Sequence, residues 1–291
     1  MVWFLIVMKY LIVNADDLGI AQGVNRGILE THQHGIVTST TAMVNQPDAA
    51  AGIQLIQNHA PQMGIGLHIT LTRGYPVLPP EQVPSLVRSD GQFYGRAQFS
   101  RVSTLFRAQD LRAEIQAQFD RFVALAGRLP DHLDSHHYVA YLHPVSFEIM
   151  LNLVTEYQLP LRSAGNHMNL DVMKRVFTAR GYNQTIVNAL SESVLRVYES
   201  HTQKPHWPDF TERRFYHEGA TLKNLCDILE NLPDGVTELM CHPGYVDDLD
   251  DAYLQPREDE RRALTHPRPR EIIAERDIRL ITFAQPPILV P

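Results

Sequence analysis

Short apolar runs alternate with longer amphipathic stretches along this chain. Apolar runs bounded by turn residues predict β-strands, and hydrophobic residues spaced three and four apart predict α-helices. The clearest helix is expected over residues 108–127, where Leu111, Ile115, Phe119 and Phe122 recur at helical intervals. Strands are predicted at 10–15, 36–44, 63–72 and 237–244. Further helices are predicted near 24–35, 48–60, 145–158, 169–179 and 219–231. A terminal helix–strand pair is expected to end near Phe283.

This succession of strands and helices determines the expected fold class. Because strand and helix alternate over most of the chain, the strands should be mostly parallel. A closed or nearly closed barrel accommodates such units in one domain. We therefore expect an α/β, (β/α) barrel-like single domain over residues 8–291. The loop at 73–100 is rich in Pro and Gly and longer than a simple connection, so it is expected to be a lid or a binding segment.

The first residues are expected to be an extension from an alternative start. Residues 1–7 are apolar but lack the basic region and the cleavage site of a signal peptide, and they are too short to span a bilayer. Met8 and Lys9 lead directly into the first strand. No membrane partner is expected.

Composition and charge narrow the function classes. The chain has 291 residues, of which 44% are hydrophobic, enough to bury a full core. A net charge of -7 without a dense Lys/Arg run argues against nucleic-acid binding. The two cysteines, Cys226 and Cys241, are too few for a disulfide framework, so reduced thiols in a cytoplasmic protein are expected. A homodimer is a possible assembly.

Acidic and imidazole side chains lie at the ends of the predicted strands. Asp16 and Asp17 end the first apolar run, and His68, His136 and His242 lie at or near the ends of others. The carboxyl ends of parallel strands meet at one rim, so these side chains can converge. One carboxylate with two imidazoles leaves positions open for water and substrate, as a hydrolytic metal site requires.

The histidine motif H-L-D-S-H-H-Y requires a choice between neighbours. Adjacent residues of a strand face opposite sides, so only one of His136 and His137 should enter the site. We choose His136 as the metal ligand and expect His137 to pack or hydrogen-bond elsewhere. Asp134 and His132 are expected to contact the ligands or the substrate.

The adjacent aspartates pose the same choice. We assign Asp17 to the metal and Asp16 to the base that deprotonates the attacking water, although the pattern leaves their order open. A structural alternative is that one of them only caps the following helix. His242, in M-C-H-P-G, is a candidate acid because the unperturbed pKa of imidazole suits proton donation near neutral pH.

Several motifs carry a family resemblance. The strings L-I-V-N-A-D-D-L-G, G-I-V-T-S-T-T-A-M-V-N, G-L-H-I-T-L-T, H-L-D-S-H-H and M-C-H-P-G-Y resemble, in this order, those of the YdjC-like carbohydrate deacetylases, which include chitooligosaccharide deacetylase. The resemblance covers nearly the whole chain, from about Tyr10 to Phe283. It implies a (β/α) barrel-like fold and a divalent metal, with hydrolysis of the N-acetyl group of an amino sugar such as N-acetylglucosamine oligosaccharides.

The resemblance also implies roles for individual residues. By motif position, Asp17, His68 and His136 correspond to the metal ligands, Asp16 to the base and His242 to the acid. In the expected mechanism, Asp16 takes a proton from a metal-activated water and His242 gives one to the departing amine. The resemblance points to Mg²⁺, whereas the donor set also suits Zn²⁺.

One departure from the family pattern concerns the substrate. The family often continues its motif as S-H-H-H-V-H, whereas this chain reads S-H-H-Y-V-A, with Tyr138 and Ala140 in place of histidines. Tyr138 is therefore a candidate contact of the substrate or of the ligands, and Arg73, which follows the His68 strand, is another. Aromatic residues of the 73–100 loop either stack on a sugar ring or pack the loop: Tyr75, Phe93 and Tyr94.

Two other function classes stay open. A metal-dependent hydrolase of another bond, a phosphoester or a different amide, would have the same ligands, because the ligand set does not determine the leaving group. Few Arg or Lys residues lie near the motifs, which counts against phosphate, and Arg73 is the only close candidate after the His68 strand. A non-catalytic sugar-binding protein would have no use for a base and an acid beside a metal.

Overall fold

The computed structural model of the chain describes residues 8–162, 170–179, 184–206 and 208–285. The expected extension at residues 1–7 lies outside this part. The strands are β1 (Lys9–Leu18), β2 (Ser39–Ala42), β3 (Gly64–Ile69), β4 (Leu133–Ser135), β5 (Phe210–Glu212), β6 (Gly235–Cys241) and β7 (Ile278–Leu280). The helices are α1 (Gln22–Gln33), α2 (Ala49–His59), α3 (Arg96–Val102), α4 (Ala108–Ala126), α5 (Pro144–Tyr157), α6 (Leu170–Ala179), α7 (Gln184–Ser200), α8 (Leu222–Glu230), α9 (Gln255–Thr265) and α10 (Pro267–Glu275).

The strands form one parallel sheet in the order β4-β3-β2-β1-β6-β5, with β7 paired to β1. Residues 9–11 of β1 pair with β7, whereas the residues of β1 that pair with β2 begin at Asn14. The sheet curls into a half-barrel surrounded by helices, which confirms the α/β barrel-like fold expected from the alternation of strands and helices. Both faces are covered, so β1 is buried from Leu11 to Leu18.

Helix α4 forms where the hydrophobic spacing predicts it. Leu111, Ile115, Phe119 and Phe122 are all buried in the core. Gly127 follows the last turn with φ +67°, a left-handed conformation that glycine adopts without strain and that ends the helix. The pattern therefore indicates both the buried face and the end of this element.

The C-terminal helical region is divided, which the hydrophobic pattern does not predict. Helix α9 ends at Thr265 and α10 begins at Pro267. His266 between them is extended, with φ −65° and ψ 144°, because a residue before proline avoids the helical region. Proline is in turn well suited to the first position of a helix. Within the described part of the chain, no helix is long and apolar enough to cross a lipid bilayer.

Candidate active site

A cavity of about 370 Å³ lies at the carboxyl ends of β1, β3, β4 and β6. Parallel strands of a barrel-like sheet deliver their terminal side chains to this rim. The residues predicted from the strand ends that line this cavity are Asp16, Asp17, His68, His136, Tyr138 and His242. The fold therefore brings together side chains that are far apart in sequence.

Asp17, His68 and His136 form a compact donor group. Asp17 Oδ1 lies 3.4 Å from His68 Nε2 and 3.0 Å from His136 Nδ1. All three side chains are buried, and one donor atom from each lies within 4.8 Å of the others. The opposite oxygen of Asp17, Oδ2, accepts a hydrogen bond from Arg257 Nη2 at 2.6 Å. Arg257 thus leaves Oδ1 directed toward the two histidines.

A second group of possible donors overlaps the first. Asp16, His68 and Asp134 also lie within metal-binding distance of one another. However, the Arg162 guanidinium lies 2.6 Å from Asp16 and 2.9 Å from Asp134. Arg162 donates to both oxygens of Asp16, whereas Arg257 binds only Oδ2 of Asp17 and leaves Oδ1 without a hydrogen bond. The group around Asp17 is therefore the better candidate for a metal site.

The backbone of β1 explains why both aspartates reach the cavity. Asp17 has φ +73°, a left-handed conformation that is rare for residues other than glycine. The pairing register with β2 also shifts between Ala15 and Leu18. Strand alternation is interrupted at this point, so neighbouring carboxylates need not face opposite sides.

The Asp16 carboxylate is held in its ionised form. Arg162 donates to both of its oxygens, at 2.7 and 2.6 Å, and Asn14 Nδ2 donates at 2.8 Å. Burial opposes ionisation, but the Arg162 guanidinium outweighs it and holds the pKa of Asp16 well below its usual range. Asp16 is therefore an anion throughout the physiological pH range.

His68 lies between carboxylates on both of its ring nitrogens. Its Nδ1 is 2.6 Å from Asp134 Oδ1, which fixes the ring, and its Nε2 faces Asp17. Burial alone would lower the pKa of His68, but the charge and hydrogen bond of Asp134 raise it to about 10. Asp134 thus contacts His68, the proposed ligand, although it does not line the cavity itself.

His242 lies beside Asp16, with its Nε2 3.8 Å from Asp16 Oδ2. Its backbone N–H donates to Glu260, and its ring lies against Tyr216 and Tyr253, with centroid distances of 5.3 and 5.6 Å. Burial lowers the pKa of His242 to about 4, so the ring is neutral at pH 7. The unperturbed pKa assumed from the sequence therefore does not apply here.

The prediction that only one of the two neighbouring histidines enters the site was wrong. Both His136 and His137 line the cavity. Strand β4 ends at Ser135, and His137 and Tyr138 have φ +57° and +59°, so the alternation of a strand does not extend to them. His137 Nδ1 hydrogen-bonds to Thr72 Oγ1 at 3.0 Å, as expected for a residue held by a partner other than a metal.

Tyr138, three residues after the end of β4, lines the cavity. Its hydroxyl donates to Met240 Sδ at 3.2 Å and accepts from Arg213 Nε at 3.1 Å. The Arg213 guanidinium also lies over the ring, 4.6 Å from its centroid. Tyr138 is thus fixed in place and presents an aromatic surface to the cavity.

Like Asp134, two further residues expected at the site do not line this cavity. The His132 ring stacks on Phe283 at 3.7 Å and covers Gly66, where a Cβ would come within 2.5 Å of it. His132 is therefore a core residue. Arg73 lies beside the cavity, where it contacts Asp251 at 2.9 Å.

Arginines at and behind the cavity are the residues that the sequence did not predict there. Arg96, Arg213 and Arg257 line the cavity and Arg162 lies behind it, so Arg73 is not the only basic residue near the site. These arginines are difficult to predict from sequence, because the residues next to a buried, paired arginine do not differ in a recognisable way from those next to an arginine on the surface.

Comparison with known proteins gives a consistent group of relatives. The family profile described as YdjC-like protein matches residues 10–275. The chain is 36% identical to a carbohydrate deacetylase of Geobacillus stearothermophilus, over 95% of this chain and 98% of the relative. It is 34% identical to a chitooligosaccharide deacetylase of Serratia marcescens, over 94% and 98% of the two chains. A crystal structure from Enterococcus faecalis V583, of a candidate cellobiose-phosphate cleavage protein, superposes with a TM-score of 0.76 at 31% identity, covering 95% of this chain and 98% of that chain.

Proposed function

Because the chain belongs to the YdjC-like protein family, we propose that it is a metal-dependent carbohydrate deacetylase. Its substrate would be an N-acetylated amino sugar, such as N-acetylglucosamine oligosaccharides, and its reaction hydrolysis of the acetyl amide. The observation that carries this proposal is the cavity in which the Asp17–His68–His136 group lies beside Asp16 and His242. The names of relatives aligned over more than nine-tenths of both chains support the substrate class.

A divalent cation fits the donor group of Asp17, His68 and His136. Asp17 Oδ1, which faces both imidazoles, is buried without a hydrogen bond in the described residues, and a bound ion would satisfy it. When bound, the ion lowers the pKa of a water molecule and polarises the acetyl carbonyl. Mg²⁺ is our proposal for the ion and Zn²⁺ the alternative, since a carboxylate with two imidazoles suits zinc well.

Asp16 and His242 divide the proton transfers in this proposal. Asp16, kept ionised and oriented by Arg162, accepts a proton from the attacking water. The carbon–nitrogen bond then breaks, and His242 delivers a proton to the departing nitrogen. Since His242 is neutral at pH 7, it must first gain that proton. Asp16 can pass on the proton that it took from water, because its Oδ2 lies 3.8 Å from His242 Nε2. The products are acetate and the free amino sugar.

A second candidate is hydrolysis of a phosphoester in the same cavity. The guanidiniums of Arg96 and Arg213 among the lining residues favour it, because arginine binds phosphate oxygens well. The amide remains the better substrate, because the curated relatives are named deacetylases. Parallel assays of acetylated amino sugars and sugar phosphates distinguish the two reactions.

Metal analysis tests the proposed site without relying on turnover. Asp17→Asn removes the charged donor, so we expect the purified variant to lose its bound divalent ion after dialysis against a defined concentration of Mg²⁺ or Zn²⁺. Asp16→Asn is the matched control and should retain it, because Asp16 pairs with Arg162 instead. Elemental analysis gives the stoichiometry, and circular dichroism checks folding. Equal metal content in the two folded variants would contradict the ligand assignment.

We also propose a cytoplasmic location and retain a homodimer as a possible assembly. The cysteines Cys226 and Cys241 are both free, as is usual in a reducing compartment.

A further inference from the structure

The His242 ring is not held through its own nitrogen atoms as the His68 ring is. Asp134 fixes Nδ1 of His68 at 2.6 Å. Nδ1 of His242, in contrast, is buried without a hydrogen bond within the described residues, and its Nε2 faces Asp16 at 3.8 Å. A group that delivers a proton must be held in one orientation. The orientation of His242 therefore depends on its backbone and on the rings around it.

The backbone of His242 lies just beyond the sheet. The pairing of β6 with β1 ends at Cys241, so the next peptide groups need other partners. Helix α9 supplies them. The His242 N–H donates to Glu260 Oε2, and the His242 carbonyl accepts from Arg257 Nη1 at 3.3 Å. Side chains of one helix thus bind both polar groups of the His242 backbone.

Arg257 and Glu260 lie three positions apart on α9, and therefore on the same face of the helix. Both are buried, and charged groups are costly to bury unless they are hydrogen-bonded. The same Arg257 guanidinium donates to Asp17 Oδ2 at 2.6 Å. This face of α9 therefore connects the proposed metal ligand Asp17 with the proposed acid His242.

Glu260 also holds the aromatic rings beside the imidazole. Its Oε1 accepts a hydrogen bond from the Tyr253 hydroxyl, which in turn accepts one from the His217 backbone N–H at 2.9 Å. Tyr253 stacks on Tyr216, with ring centroids 4.7 Å apart, and the His242 ring lies against both. The two oxygens of Glu260 thus fix the backbone and the surroundings of the same imidazole.

The position of Glu260 limits what it can do in the reaction. It is fully buried and does not line the cavity. Its hydrogen bonds go to the backbone of His242 and to Tyr253, and not to the imidazole. Glu260 therefore contacts neither the substrate nor the transferred proton, and any effect on the proton transfer must pass through His242.

We propose that Glu260 is the positioning residue of His242 and holds the imidazole where it delivers a proton to the departing nitrogen. This inference rests on the proposed function for the role of His242. In the step concerned, the carbon–nitrogen bond breaks, the nitrogen keeps the electron pair, and His242 supplies its proton. Glu260 keeps its two hydrogen bonds throughout.

The test compares two leaving groups. The amine of an N-acetylated sugar needs a proton to depart, whereas the 4-nitrophenolate of 4-nitrophenyl acetate does not. Glu260→Ala should lower kcat for the amide by about tenfold or more, because a small displacement of a proton donor has an effect of this size. It should lower kcat for the ester by at most about twofold, since that step needs no acid. A purely structural role would lower both rates equally, and that result would overturn the inference.

Asp259→Ala is the matched control for this comparison. Asp259 is the neighbouring residue of α9, but its side chain is 41% exposed. The variant should therefore leave both rates as in the wild type.

Two milder variants separate the contacts of Glu260. Glu260→Gln should retain most of the amide rate, because its oxygen can accept the His242 N–H while its nitrogen donates to the Tyr253 hydroxyl. Tyr253→Phe keeps the ring but removes one contact, so it should lower the amide rate more than the ester rate. This variant also tests the inference if Glu260→Ala does not fold. A glutamine variant as slow as the alanine variant, or equal losses for both substrates in Tyr253→Phe, would overturn it.

Nuclear magnetic resonance of the histidine rings separates this inference from the proposed function, because it requires no turnover. The His242 ring signals are those absent from His242→Gln. They should shift and broaden in Glu260→Ala and stay unchanged in Asp259→Ala. Amide hydrolysis by the wild type, with His242 signals that Glu260→Ala leaves unchanged, would overturn the inference and retain the deacetylase. Altered signals in Glu260→Ala, with no amide hydrolysis by the wild type, would reject the deacetylase and support the hold of Glu260 on His242.

Discussion

Asp16 and Asp17 are adjacent in the chain, but their carboxylates have separate partners. Asp16 accepts two hydrogen bonds from Arg162, whereas Asp17 lies between two histidines and Arg257. The left-handed backbone at Asp17 produces this separation. In the proposed mechanism, this separation assigns one carboxylate to the metal and its neighbour to the proton.

The role of Asp16 leads to a prediction on turnover. Asp16→Asn replaces the proton acceptor by a neutral amide, so the rate of acetate release at saturating metal should fall by about a hundredfold or more. Asp247→Asn is the control, since the Asp247 side chain is 66% exposed at an ion pair with Arg26 outside the cavity. A near-normal rate for the Asp16 variant would reject its assignment as the base.

At the scale of single residues, the sequence motifs predicted the acidic and imidazole side chains of the cavity better than they predicted the residues that contact them. Asp16, Asp17, His68 and His242 could be predicted because each follows a recognisable apolar run. Arg162 could not, because its partners come from strands far away in sequence and only the folded chain brings them together.

At the scale of secondary-structure elements, the spacing of hydrophobic residues predicted the longer helices and strands well. The strand predicted over 237–244 corresponds to β6, and the helix predicted over 108–127 to α4. Elements that depend on backbone conformation were missed, such as the left-handed turn after β4 at His137. Helix α7 was missed as well, although it is amphipathic.

Helix α5 provides a prediction on pH and stability. His143 at its N-terminus is buried, with its ring centroid 6.3 Å from that of Phe106, and burial lowers the pKa of His143 to about 4 from 6.5. The unfolded chain therefore binds a proton that the folded chain excludes, so stability falls as the pH falls from about 6.5 toward 4. Protonation of His143 should therefore lower the free energy of unfolding by about 2 kcal/mol between pH 7 and pH 5.

Urea unfolding of the wild type and of His143→Gln at both pH values measures this contribution. The free energy of unfolding of the variant should decrease less on acidification, by about the same 2 kcal/mol. An equal decrease in the two proteins would show that His143 is not the group responsible.

At the scale of the whole molecule, one buried cation, Arg162, connects the sheet with the site. Arg162 is fully buried and contacts Asp16 on β1, Asp134 on β4 and Glu238 on β6, at distances of 2.6 to 2.9 Å. It thus connects the edge strand β4 with the centre of the half-barrel. Arg162 therefore joins three strands of the sheet and balances the charge of the carboxylates behind the cavity.

Removal of this cation should destabilise the fold. Arg162→Met leaves buried carboxylates without their partner, so the free energy of unfolding should fall by about 3–5 kcal/mol. Arg196→Met on α7 is the control, because the Arg196 side chain is 67% exposed. This substitution should change the free energy of unfolding by at most about 0.5 kcal/mol. Denaturant unfolding compares the two variants, and similar losses would contradict the special role of Arg162.

The most direct test of the central claim is acetate release from N-acetylglucosamine oligomers by the purified protein. It is measured with and without chelator, and after restoring Mg²⁺ or Zn²⁺. We predict release that the chelator abolishes and that one of the two ions restores. Release that survives complete removal of the metal, or no release from any acetylated sugar with either ion, would contradict the assignment of a metal-dependent deacetylase.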